Sequence, residues 1–578
     1  MNGIYRYIKT YIPLLEILKK YNRNSLKGDL NAGVTVGIML IPQGMAYAVL
    51  AGMPPVYGLY ASLIPLLLYA VFGTSRQLAV GPVAMVSLLI IAGVGELAEV
   101  GSDRFIQLVI LAALGVGVFQ FLMGLFRMGF LVNFLSHPVL SGFTSAAALI
   151  IGASQIKNLL GLELPRTNYI HEILIGTLAQ ISEIDLFTTL IGAGSVVVII
   201  LIRKWKHTFP SALVVVAAGT VATGLFGLNN QGVSIVGEIP DGLPSFELME
   251  FTLADFRLLI PTILVISLVG FMESIAVAKA IAKKHGYKVN ANQELIGLGV
   301  ANIGGSLFQS FPVTGGFSRT AVNDQAGAKS GIASIISAVI IGLTILFLTP
   351  LFYYLPSAVL AAIIIVAVAG LFDAHEMKEL WKTDRKDFAM LIVTFTATLL
   401  LGIEEGILVG VIISLVAVIY SSTRPHSTEL GQLGNTRNYR NIKRYKEASV
   451  SDDVLIYRFD SQLYFANVEY FRENMEEHIA KKGADLKLVI LDASAIHFID
   501  STGISTLQEV IYDLKSREID FYIAGAIGPV RDKLKVCGIV EIMGKDNFFF
   551  DVSGALSCYR EYGENAASAD YSPLQTNS

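Results

Sequence analysis

The sequence predicts an α-helical polytopic membrane protein: fourteen transmembrane segments in a seven-plus-seven inverted repeat, followed by a cytoplasmic α/β domain. Three observations carry this reading. Of the 578 residues, 53% are hydrophobic and only 16% charged, against about 25% charged in an ordinary soluble domain. Long stretches between Gly28 and Ser422 hold almost no charge, whereas the last third of the chain is as charged as a cytosolic protein. Between the apolar segments, basic residues return at regular intervals. The net charge of −4 gives no broad basic surface, which argues against nucleic acid as a partner. Cys537 and Cys558 are the two cysteines and supply neither a disulfide framework nor a metal-ligand cluster. Lys9, Lys19, Lys20, Arg23 and Lys27 interrupt the start of the chain, so no cleavable signal peptide is expected.

A helix crossing the hydrocarbon core needs about 20 mostly apolar residues. Segments of that character are read at 28–51, 55–72, 82–97, 105–126, 130–153, 186–203, 210–228, 256–278, 293–308, 316–328, 331–352, 357–372, 388–402 and 404–421. The third and tenth are too short, glycine-rich or polar for hydropathy alone. Charge supplies the second test, because cytoplasmic loops collect Lys and Arg. Basic residues precede the first segment and follow every even-numbered one: Arg76; Arg127; Arg203, Lys204 and Lys206; Lys279, Lys283, Lys284 and Lys288; Lys329; Lys378, Lys382, Arg385 and Lys386. Dropping either short segment breaks the alternation, so both count as crossings. Both termini are then cytoplasmic, with the protein a multi-pass component of the plasma membrane, the inner membrane of the cell.

Short, Gly/Pro-interrupted segments at matching positions of two halves point to a transporter's binding site. The third segment starts through Val80, Gly81, Pro82, Val83 and Ala84, and the tenth through Pro312, Val313, Thr314, Gly315, Gly316, Phe317, Ser318 and Arg319. Each is third in a run of seven, and an odd repeat length forces inversion. A helix that begins inside the membrane leaves its first N–H groups unpaired and presents partial positive charge there, so an anion fits between two such ends. Ser318 adds a hydroxyl donor. The plain alternative, that these glycines only permit close helix packing, is weakened by the matching positions.

Arg319 lies at membrane depth, where an unpaired charge costs at least ~3 kcal/mol. Glu273, midway along the eighth segment, is the other deep ionisable group. Two readings of it stand: a structural pair with Arg319 or Lys279, or an acid beside the anion. In the second case a carboxylate repels the anion and the neutral acid admits it, so a proton travels with the anion.

Pro55, Val56, Tyr57, Gly58, Leu59, Tyr60, Ala61 and Ser62, continuing to Tyr69 and to Gly73, Thr74, Ser75 and Arg76, resemble the signature of the SulP sulfate permease family, which includes the relatives of prestin and pendrin. Residues 41–48 and 136–143 extend the resemblance, which covers nearly the whole chain. It implies a core domain of segments one to four and eight to eleven, and a gate domain made of the rest. It also implies an anion held between the third and tenth half-helices by Gln43 and Ser318, with Tyr47, Val83 and Ala84 at matching positions. Many relatives carry an aromatic residue where Val83 stands. An acid at the Glu273 position resembles the proton- or sodium-coupled members. His137, before Pro138, is read as a turn-capping or packing residue, and Glu404 and Glu405 as loop or gate-interface acids.

After a polar linker at 423–447, apolar alternation at 454–459, 487–492 and 521–524, with helical stretches between, indicates an α/β domain at 448–563. Residues 491–494 and 498–503 resemble the STAS domain, which implies dimer assembly and regulation. Ser501 matches a position that is phosphorylated in stand-alone relatives, at a helix N-terminus that would tolerate phosphate. The simpler reading has Asp500 and Ser501 capping that helix. Residues 564–578 are small and polar and are expected to be a disordered tail, and 1–27 a cytoplasmic segment.

These readings converge on a secondary active anion transporter, not an enzyme. Segment range 28–422 is the transport domain, moving core against gate in elevator fashion. Its substrate-binding residues are expected to be Gln43, Tyr47, Val83, Ala84, Phe317, Ser318 and Arg319, with Glu273 for coupling. No cofactor or metal is expected, and the partners are the anion, a co-transported proton or sodium ion, the lipid bilayer and a second copy through the STAS domain. Sulfate is the substrate the resemblance favours. Sodium-coupled bicarbonate transport, C4-dicarboxylate symport and an uncoupled channel or exchanger are the alternatives.

Overall fold

The computed structural model describes residues 12–19, 21–130, 136–164, 169–205, 209–240, 242–247, 251–434 and 436–564. The chain forms two compact units, 1–415 and 416–578. Each of the fourteen apolar segments is helical. Eight of these are long and apolar enough to cross a membrane unaided; the remaining six run from 9 to 17 residues. The third segment is the helix Ala84–Val94 and the tenth is Phe317–Gln325, both short enough to begin within a bilayer.

Local signals set the ends. The first helix, Arg23–Leu50, is capped by the Asn22 side chain and carries Pro42 in its interior, one residue before Gln43. The eighth, Leu253–His285, opens with a capping box between Thr252 and Asp255 and stops at Gly286, whose φ is +69°. Such a left-handed stop favours glycine. The fifth segment begins as a helix at His137, and residues 131–135 of its expected span lie outside the described residues. Among the described residues, the helices outside the fourteen segments include Ile170–Ala179 and Ala374–Thr383. The second is too polar to span a bilayer and is capped by Asp373, which accepts from the Glu376 amide at 2.9 Å.

The helices pack in two groups that interleave the halves of the sequence. In one, the fourth lies along the ninth, the first along the eleventh, and the second along the ninth. Glycines bring these backbones together: a Cβ on Gly299 would stand 2.6 Å from the Phe121 nitrogen. In the other group the fifth lies along the thirteenth and the sixth along the twelfth. The first helix meets the seventh and twelfth between the groups.

The second unit is an α/β fold. Its sheet runs Tyr439–Asn441, Ser427–Leu433, Val454–Phe459, Leu488–Asp492, Asp520–Ala524 and Phe548–Phe549, with Ala448–Ser449 pairing Ser427–Leu433 off this path. The last four strands of the run are parallel. Both faces are buried, as parallel strands require. Leu455, Tyr457, Val489 and Leu491 pack under the helices Val468–Lys482 and Ser501–Ser516, while Val454, Ile456, Leu488 and Ile490 pack against Val552, Ala555 and Leu556. The expected linker at 423–447 is corrected here. The strand Ser427–Leu433 pairs antiparallel with Val454–Phe459 and extends the sheet. Its polar residues alternate with buried ones, which composition alone does not reveal. The expected tail after residue 564 lies outside the described residues.

Candidate functional site

The two interrupted segments are joined through their leading strands. Val80 pairs with Gly315 and Gly81 with Thr314 in an antiparallel bridge, and the Gly316 amide donates to the Ala79 carbonyl at 3.1 Å. The helices then begin after Val83 and Gly316, each in extended conformation. Both sets of first-turn N–H groups therefore start at one place, and both dipoles present positive charge there.

Two short strands buried in a membrane protein leave backbone groups that no water can satisfy. Side chains take over. Asn302 of the ninth helix accepts from the Val313 amide at 2.8 Å and donates to the Val313 carbonyl at 3.1 Å and to Gln120 at 3.2 Å. The Gly315 amide donates to Ser274 at 2.8 Å, Ser274 lies 2.6 Å from the Thr314 hydroxyl, and that hydroxyl donates to the Gly270 carbonyl at 2.5 Å. Thr320 accepts from the Ala79 amide at 3.1 Å, and Asn323 donates to the Gln77 carbonyl at 2.8 Å. Sequence reading missed this scaffold, because one Asn or Ser in a span looks like any packing residue. A single sequence carries no signal that marks it.

Of the expected site residues, Val83, Ala84, Phe317, Ser318 and Arg319 lie where the joined loops enter their helices, and the first helix, which carries Gln43 and Tyr47, packs against both half-helices. Val83 and Ala84 are buried at the start of the third helix. Phe317 is 62% exposed and Ser318 is exposed with it at the start of the tenth. Arg319 is buried; its guanidinium folds back over Gly316 and donates to the Pro82 carbonyl, tying the tenth helix to the strand before the third. Its Nε and Nη2, the Gln43 Oε1 and the Glu273 Oε2 are buried without hydrogen-bond partners among the described residues. Tyr47 is buried and stands within electrostatic reach of both Arg319 and Glu273. Arg319 and Glu273 form no hydrogen bond with each other.

Other motif residues have structural tasks. Glu294 is fully buried and accepts from the Tyr69 hydroxyl at 2.6 Å and from the Thr74 and Ser75 amides at 2.6 and 3.0 Å. The end of the 55–76 motif thus wraps a carboxylate of the ninth helix. His137 sits 2.6 Å from Glu376. Asp500 caps its helix, accepting from the Gly503 amide at 2.7 Å and the Phe465 amide at 2.9 Å. Ser501 is left exposed beside it.

Comparison with known proteins identifies the family. The pattern of the sulfate permease family matches residues 26–394, and that of the STAS domain matches 445–555. The chain is 41% identical to "Sulfate transporter 4.1, chloroplastic" of Arabidopsis thaliana over 97% of this chain and 84% of that protein. It superposes on murine Solute Carrier 26 family member A9, an anion transporter solved in the inward-facing state, with a TM-score of 0.89 at 27% identity, covering 96% of this chain and 95% of that one. The transmembrane domain of a cyanobacterial bicarbonate transporter, BicA, matches 69% of this chain and 98% of its own with a TM-score of 0.58 at 25% identity. These relatives are transporters rather than enzymes. With the family pattern spanning most of its membrane unit and a sulfate transporter matching nearly its whole length, the chain belongs to the sulfate permease family of anion transporters and carries a C-terminal STAS domain.

Proposed function

We propose that the protein is a secondary active sulfate transporter that moves the anion together with a proton. The observation that carries this is the joining of the two half-helix starts through the Val80–Gly315 bridge, with Arg319 lying across it. Sulfate is held by the unpaired amides at Val83–Ala84 and Phe317–Ser318, by Ser318 and by the Gln43 amide. Tyr47 closes one side and Arg319 adds charge from beneath. Among the described residues one oxygen of Glu273 has no hydrogen-bond partner, and it lies within electrostatic reach of that charge. As a carboxylate it neutralises Arg319 and weakens the anion's hold; as the neutral acid it leaves the field of Arg319 to the anion, so proton and anion bind and leave together. The group of helices holding the site moves past the other group in an elevator-like step. The STAS domain is cytoplasmic and supports a homodimer, and the protein resides in the plasma membrane with both termini inside.

Uptake of radiolabelled sulfate, bicarbonate and fumarate into proteoliposomes under imposed proton or sodium gradients tests the proposal. Sulfate accumulation driven by a proton gradient is expected. In Glu273→Gln it is lost while sulfate exchange continues. Proton-driven accumulation that survives in Glu273→Gln overturns the coupling, and preference for bicarbonate with sodium overturns the substrate.

A further inference from the structure

The gap between the twelfth and thirteenth segments is filled by the polar helix Ala374–Thr383, in which no residue is buried. Glu376, Met377 and Leu380 are half-buried, whereas Lys378, Trp381 and Lys382 are exposed. Positions three and four apart are neighbours on a helix, so Lys378, Trp381 and Lys382 share the outward face. Arg385, just past the end of the helix, adds to it: its guanidinium lies 5.8 Å from the centre of the Trp381 ring. The nearby acids are engaged elsewhere. Asp373 and Asp384 cap helix starts, Glu376 sits 2.6 Å from His137 of the fifth helix, Glu379 lies 3.8 Å from His375, and Asp387 is half-buried in the first turn of the thirteenth helix. The side chains of Lys378, Lys382, Arg385 and Lys386 have no acid partner and no hydrogen bond among the described residues.

The depth of this face follows from the helix it leads into. The thirteenth helix, Arg385–Leu401, has 17 residues and so a length of about 26 Å, less than the roughly 30 Å of hydrocarbon it crosses. Its first turn therefore cannot stand clear of the headgroup layer. Trp381 is 57% exposed and packs edge-on against Phe388 of that turn, with ring centres 5.0 Å apart, which keeps the polar helix at the same depth. Tryptophan with Lys and Arg is the composition of a membrane–water boundary. We infer that the face formed by Lys378, Trp381, Lys382 and Arg385 is a binding site for an anionic phospholipid of the surrounding bilayer. The three cations meet the phosphate, and Trp381 lies beside the glycerol and the upper acyl chains. A zwitterionic lipid offers the same phosphate but brings its own ammonium, so it gains less from the unpaired cations. Glu376 joins the polar helix to the fifth helix, which lies along the thirteenth, so the lipid is held by that group of helices.

The chain has two tryptophans, and Trp205→Phe leaves Trp381 as the reporter in the full-length protein. Nanodiscs are made of equal parts phosphatidylcholine and phosphatidylglycerol, with bromine on the acyl chains of one lipid or of the other. Quenching of Trp381 is expected to show phosphatidylglycerol enriched about fivefold over phosphatidylcholine at this face, and Lys378→Gln with Lys382→Gln to bring the two lipids close to parity. Equal quenching before any lysine is changed, an enrichment that survives in the double variant, or a Trp381 that neither lipid quenches because protein covers it overturns the inference. If the double variant does not reconstitute, salt decides: added NaCl must reduce the enrichment, and indifference to salt overturns the inference. Glycerol 3-phosphate at constant ionic strength separates a lipid from a soluble phosphate. The enrichment is expected to persist in its presence, and its loss overturns the assignment to lipid.

Discussion

Replacing Asn302 with leucine keeps the volume of the side chain and removes its entire polar function. Three buried groups then lose their partner: the Val313 amide, now bonded at 2.8 Å, the Val313 carbonyl at 3.1 Å, and the side-chain oxygen of Gln120 at 3.2 Å. A buried polar group left unsatisfied costs about 1–3 kcal/mol, so the change should destabilise the membrane unit by at least about 3 kcal/mol. With Asn302 1% exposed, water offers little relief. The cost falls on the strand that leads into the tenth half-helix, so anion binding should suffer along with stability. Thermal unfolding of the detergent-solubilised protein, followed with and without sulfate, measures both. Asn302→Leu should unfold several degrees lower and lose much of its sulfate-dependent stabilisation, and Asn302→Asp, which keeps the acceptor for Val313, should fall between. A leucine variant that melts within about one degree of the native protein and responds equally to sulfate would refute the idea that this amide holds the loop.

A methyl group at Gly316 would meet Arg319 Nη2 at 2.8 Å and Cζ at 3.0 Å, so Gly316→Ala should push the guanidinium off the Pro82 carbonyl and weaken sulfate binding about tenfold; titration calorimetry showing native affinity counts against that role. Asp500→Ala removes the cap of the helix Ser501–Ser516 and should cost about 1–2 kcal/mol of local stability, visible as faster amide exchange in its first turn, whereas Ser501→Ala should leave exchange there unchanged. In the STAS domain the Ser451 hydroxyl, outweighing partial burial and helped by Tyr559, holds the Asp453 carboxyl below the ordinary carboxylate range. A depressed folded value means this contribution is intact above the unfolded pKa of about 4 and disappears as pH falls through the lowered one. Amide protection in the helix Val552–Glu564, which carries Tyr559, should therefore fall with acid in the native protein and vary less in Asp453→Asn; identical pH profiles would remove Asp453 from the account.

The crossing helices were legible because hydropathy and basic residues report the same boundary from opposite sides. Even the nine-residue helix Phe317–Gln325 could be placed, since Lys284 before it and Lys329 after it fix its parity. The pairing of the two broken segments was legible from their matching ordinal positions and from glycine and proline at their starts. Asn302, Gln120, Ser274 and Thr314 were not, because their importance comes from which backbone groups lie opposite them, and a single chain carries no trace of that opposition. The strand Ser427–Leu433 hid in a polar stretch because it borrows its burial from Val454–Phe459, a partner further along the chain.

The Val80–Gly315 bridge has an evolutionary side. Two sequence-distant stretches that exchange backbone hydrogen bonds are welded into one mechanical part, so neither repeat can drift alone. A change of register in one loop would misplace the other, and selection must judge them jointly. Tuning of ion preference in such proteins should therefore proceed through side chains around the weld, such as those at 43, 47 and 83, while the weld itself stays put.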